Sequence, residues 1–128
     1  MASYLNPDVL DEGLDICDTL GDQIYITSAL AVTYTEATAT YDLGSKTTGV
    51  TVSAPANKAG GGREVTISAF TDGVVGTSGT ATHWALVDST NSRLLACQTL
   101  TASQAVTAPN AFELDALTIG IPNPADMA

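Results

Sequence analysis

Residues 80–88 alternate Ala81, His83, Ala85 and Val87 on one side against Thr82, Trp84 and Leu86 on the other. Residues 93–100 return as a second apolar-rich run, and Ser89-Thr90-Asn91-Ser92 between them is a turn-type connection. A period of two on both sides of a turn specifies an antiparallel hairpin, and such a pair needs further strands to bury its apolar face. The sequence supplies them at short intervals. Residues 48–54 alternate and end at Pro55, and residues 63–71 alternate around Val65, Ile67 and Ala69 and stop at Asp72-Gly73. Gly76, Ser78 and Gly79 mark another break, and a last strand is expected from Phe112 to Ile119. The 19 threonines fit pleated, half-buried strands better than helices. The expectation is a mainly β, single-domain antiparallel β-sandwich or small barrel, jelly-roll or immunoglobulin-like, with a short N-terminal helix.

The first 45 residues differ. Asn6-Pro7 reads as an N-cap with proline at the first helical position, and Leu10, Leu14 and Cys17 follow at helical spacing. The pattern predicts an amphipathic helix over 7–19, weakened at Gly13 and stopped at Gly21. Residues 23–27 read as a strand. Thr33 and Glu36 have capping-box spacing, which predicts a second short helix ending near Gly44. The chain thus divides into an arm and helix over 1–22, a β domain over 23–120 and a tail over 121–128, whose prolines exclude it from a sheet interior.

Length and charge bound the function. At 128 residues the chain suits one domain with a core of its own. No apolar run reaches the roughly 18 residues of a membrane span. The N-terminus has no basic and apolar pair of regions, so no secretory signal is expected. Four basic residues against 14 acidic ones give a formal charge of -10. That balance argues against nucleic acid, whose phosphates need Lys and Arg, and against anionic membranes. It permits docking on a basic protein surface.

No set of residues reads as catalytic. His83, the single histidine, sits mid-strand and reads as structural or as part of an interface. Cys17 and Cys97 lack metal-type spacing and read as reduced core residues. Asp8, Asp11, Asp15, Asp18 and Asp22 form a stripe at helical spacing. A helix presents such carboxylates in a row, as a solvated face or a surface for a basic partner, and not as a calcium loop. Gly60-Gly61-Gly62-Arg63 lacks the spacing of a phosphate loop. Trp84 alternates with Leu86 and is expected in the core, with sugar stacking as its other use. Tyr4 and Leu5 give the arm an apolar tip that must dock on its own body or on a neighbour. No cofactor or metal is expected.

Residues 79–88 (GTATHWALVD), followed by Asn91-Ser92-Arg93-Leu94-Leu95-Ala96, resemble a group of small tailed-phage virion proteins. The opening Tyr4-Leu5-Asn6-Pro7 with Val9-Leu10-Asp11 and the closing Ile119-Gly120-Ile121-Pro122 are similar as well. The resemblance implies a structural role in the virion, of the kind filled by capsid decoration (cement) proteins on the capsid exterior. It implies the major capsid protein as partner, and three-fold lattice positions suggest a homotrimer. Tyr4, Leu5, Asn6, Pro7, Asp11, Asp15, Ile121 and Pro122 are the candidate partner-binding residues, on the arm, the first helix and the tail. A tail, neck or fibre component and a host-surface or carbohydrate-binding module are the alternatives.

Overall fold

The structure is a computed structural model that describes residues 3–5, 13–57, 59 and 63–121. Among the described residues, ten strands lie in two antiparallel sheets. The larger contains β1 (Ser3–Leu5), β2 (Gln23–Thr27), β3 (Asp42–Lys46), β6 (Phe70–Val75), β7 (Gly79–Asp88), β8 (Arg93–Val106) and β9 (Ala111–Leu114), in the order β1-β8-β7-β2-β3-β6-β9. The smaller contains β4 (Ala56–Asn57), β5 (Arg63–Ile67) and β10 (Leu117–Ile121), in the order β10-β5-β4. The expected mainly β architecture is the one found.

The β7–β8 hairpin is the centre of the fold, with the turn at residues 89–92 where the sequence places it. On its inner face Trp84 and Leu86 join Ile24 of β2 and Val65, Ile67 and Ile119 of the small sheet. A bulge between the Leu86↔Ala96 and Val87↔Leu94 pairs turns both Leu95 and Ala96 into this inner cluster. On the outer face Ala85, Val87, Leu94 and Cys97 are covered by Ala31 and Ala37 from the segment after β2. The hairpin is therefore buried on both sides from residue 84 to residue 88, which simple in–out alternation does not predict.

Several expected boundaries move, each for a local reason. The helix α1 spans Asp15–Leu20 and not 7–19. Gly13 adopts φ +72°, outside the helical range, so no helix runs through it, and residues 7–12 lie outside the described residues. Gly21 ends the helix as expected, but with an extended backbone, φ -70° and ψ 111°. Its small size matters for another reason, since a Cβ there would lie 2.6 Å from the Cys17 carbonyl oxygen.

The capping box at Thr33 is formed in half, with the return bond made one residue earlier, at Val32. Thr33 Oγ1 accepts from the Glu36 N–H at 3.1 Å, and Glu36 Oε1 accepts from the Val32 N–H at 2.9 Å. The turn that follows is a π-helical turn over Glu36–Thr40, closed by the Tyr41 N–H donating to Glu36 O at 2.8 Å. It ends well before Gly44, which lies inside β3.

Residues 48–54 form no strand; Val52 makes one bridge to Ile67. Asp72-Gly73 does not end a strand, because β6 runs through both. The predicted strand from Phe112 to Ile119 is two, β9 and β10, with the chain crossing between sheets at Asp115 and Ala116. A second crossing at Ser68 and Ala69 takes β5 into β6. Ile121, assigned by sequence to the tail, is the last residue of β10 and pairs with Arg63.

Candidate functional site

The sequence-predicted contact residues separate into two places. Tyr4 and Leu5 lie in β1 and pair with Cys97 and Ala96 of β8. Ile121 lies half-buried on the edge strand of the small sheet. Asp15 is exposed in the first turn of α1. Asn6, Pro7, Asp11 and Pro122 lie outside the described residues. The two described chain ends thus belong to different sheets, each at a margin.

The aspartate stripe does not survive as one face. Asp15 is exposed and Asp18 half-buried, while Asp8 and Asp11 lie outside the described residues. Asp22 sits beyond the helix and secures the hairpin turn. Its carboxylate accepts from the Ser89 N–H at 2.9 Å and from the Ser89 hydroxyl. Asp88, 1% exposed, does the same from the other side. It accepts from the N–H groups of Thr90 and Asn91, from Asn91 Nδ2 at 2.7 Å and from Arg93 Nη2 at 3.1 Å.

Burial by itself pushes the Asp88 carboxyl up, but the hydrogen bonds from Asn91 and Arg93 outweigh it and hold the group below the usual carboxylate range. An aspartate followed by Ser-Thr-Asn is a turn-capping signal that the sequence offers. Asp88→Ala is expected to cost about 1–2 kcal/mol at neutral pH, since the freed donors of the exposed turn regain water. The folded pKa is depressed, so this stability is present above 3.8 and lost as pH falls through the folded value. Urea unfolding at a series of pH values should show the wild-type advantage shrinking in acid. A constant difference would contradict the assignment.

Several other ionisable groups are partly or fully buried. His83 is half-buried, with Nδ1 2.8 Å from Thr82 Oγ1 and Nε2 3.5 Å from Thr99 Oγ1, and desolvation lowers its pKa. Burial pushes the Cys17 thiol up to about 11 and also raises Cys97. The two thiols are free and belong to clusters on opposite faces of the large sheet. Desolvation also raises the Asp42 carboxyl, whose Oδ1 is buried without a hydrogen-bond partner among the described residues. Among the described residues, no group of three or more His, Cys, Asp and Glu is placed to hold a metal.

Two surface features could meet a partner. The first is an aromatic face on the outer side of the large sheet, where half-buried Tyr25, Tyr34 and Tyr41 pack around the alanine-rich cluster and Val32 is 44% exposed. Burial, and then the neighbouring Tyr34, Asp42 and Asp22, push the Tyr25 hydroxyl pKa up. The second is a cleft of about 840 Å³ between the far half of β8 and the β9–β10 segment, with Trp84 and Phe112 among its lining residues. Trp84 is only 3% exposed, so it offers no ring face for stacking on a sugar. Sequence reasoning missed the cleft, because it comes from the divergence of two strands that are adjacent in the chain. Compared with family models, curated proteins and solved structures, the chain matches none.

Proposed function

We propose that this chain is a non-enzymatic structural protein of a tailed-phage virion, a capsid decoration subunit that binds the major capsid protein from outside. The observation that carries the reading is the position of the described ends. β1 lies at one margin of the large sheet and β10 at one margin of the small sheet. Chain that continues from a sheet margin can extend pairing onto a neighbouring subunit, while the doubly covered hairpin keeps the body rigid. The resemblance of residues 79–96 and of both ends to small phage virion proteins supports the same reading. So does the charge: the first 45 residues carry eight acids and no Lys or Arg, which suits a basic capsid surface and disfavours packaged DNA. Assembly as a homotrimer on three-fold lattice positions is part of the proposal. A tail, neck or fibre site is the competing location.

The arm provides the test. Deleting residues 2–10 removes β1, which pairs with only three residues of β8. The truncated domain should lose little thermal stability yet attach much more weakly to particles lacking the native protein, as measured by cosedimentation. Equal attachment would remove the arm from the mechanism.

A further inference from the structure

β8 and β9 are consecutive strands joined by a short turn at residues 107–110, closed by the Asn110 N–H donating to Thr107 O at 2.9 Å. Strands so connected ordinarily pair with each other. Here they diverge: β8 pairs with β7 and β9 with β6, and the cleft lies between them. On its other side, among the described residues, β8 pairs with β1 only at Ala96, Cys97 and Gln98. The β7–β8 register jumps from His83↔Thr99 to Ala81↔Gln104, so residues 100–103 have no ladder partner among the described residues. β9, the last strand of its sheet, likewise has one unpaired side among the described residues. Two unpaired stretches of backbone therefore line one cleft, whose volume lies within the roughly 300–1,000 Å³ of ligand sites.

The chemistry of the walls narrows the occupant. Trp84, Leu100 and Phe112 supply apolar lining, and Glu113 and Asp115 add two exposed carboxylates. Among the described residues no Lys or Arg lines the cleft, and residues 94–112 carry no charge at all. A second copy is a poor occupant of this cleft, because its described cations are engaged within its own chain: Lys46 with Asp72, Arg63 with Asn57, and Arg93 with Asp88. We propose that the cleft takes one extended segment of a partner protein as an added strand. The segment presents alternate apolar side chains to the half-buried Leu100, Leu114 and Leu117 and a Lys or Arg to Glu113 and Asp115. Main-chain hydrogen bonds to β8 and β9 supply affinity, and the apolar and acidic positions supply selection. The inference holds whichever assembly the protein joins.

Trp84, the single tryptophan, reports on its own cleft. The probe is the peptide KVTVTVTVK, titrated against the full chain by fluorescence, with hydrogen exchange read at residues 100–103 and 111–114. Saturable change and new protection at both stretches are expected. EVTVTVTVE should bind at least about tenfold more weakly, and N-methylation of alternate peptide amides should abolish binding. The Glu113→Lys/Asp115→Lys double variant alters two exposed positions, and its fold is checked by circular dichroism. It should reverse the order of the two peptides. Lack of saturation at about millimolar peptide, equal binding of the N-methylated peptide or an unchanged order in the double variant would overturn the proposal. So would protection of both stretches without peptide, whether it tracks dimerisation in sedimentation or disappears on truncation after Ile121. Those results would assign the cleft to a second copy or to the chain's own end.

Discussion

Trp84→Ala is expected to cost about 3–5 kcal/mol of folding stability, the range for deleting a large aromatic side chain from a core. Trp84 is 3% exposed, pairs across the sheet with Ile26 and Gln98, and packs between the two sheets with Leu86, Ile24 and Ile119. A domain of this size has only about 5–15 kcal/mol in total, so the variant loses a large share of it. Urea unfolding followed by circular dichroism measures the loss without the missing fluorophore. The result also separates two uses of this residue. A stacking residue would give normal stability and lost ligand binding, whereas a core residue gives the loss of stability expected here.

Gly44→Ala is expected to cost about 3 kcal/mol, at the upper end for overpacking, because the clash is with backbone. A Cβ at Gly44 would lie 2.6 Å from Val74 O and 2.9 Å from Val75 Cα of the neighbouring strand. The β3–β6 ladder pairs Gly44↔Val75 and Ser45↔Val74, so the clash falls at the ladder itself, between the Lys46–Asp72 ion pair and the Gly76 and Thr77 N–H groups that donate to Leu43 O. Phe112 lies over the same spot: Cβ atoms at Gly44 and Gly73 would both meet its ring. The two glycines provide the surface on which this aromatic packs, and its edge-to-face contact with Phe70 at 5.8 Å fixes the ring. Gly76→Ala is the control, since nothing lies within 4 Å of a Cβ there. Equal effects of the two substitutions would contradict the packing argument.

These two positions also mark what the sequence discloses and what it withholds. Trp84 was legible as a core residue because it alternates with Leu86 in a hairpin with an obvious turn. Gly44 read instead as the end of a helix, because an isolated glycine after a capping box is a standard stop signal. Its actual role depends on β6, some 30 residues later in the chain, and no local pattern encodes that approach. The same limit explains the missed sheet crossings. Residues 112–119 alternate except at Ala116-Leu117, where two apolar residues in succession are the one local trace of the crossing, and tertiary packing sends Asp115 and Ala116 from one sheet to the other. The predicted helix differs for another reason: Gly13 costs little within a helix by propensity, but its positive φ excludes a helix from passing through it. The acidic stripe was read from spacing alone, yet Asp22 turns away to secure Ser89. Asp88, whose carboxylate accepts from Thr90, Asn91 and Arg93, looks in the sequence like no more than a strand end.

The central claim is tested most directly by the copy number of this protein in purified virions, measured by mass spectrometry against the major capsid protein. A ratio equal to the number of decoration sites on the capsid lattice, hundreds of copies per particle as an order-of-magnitude expectation, is the predicted result. A few copies or a few dozen would move the protein to the neck, tail or fibre, and its absence from virions would contradict the account.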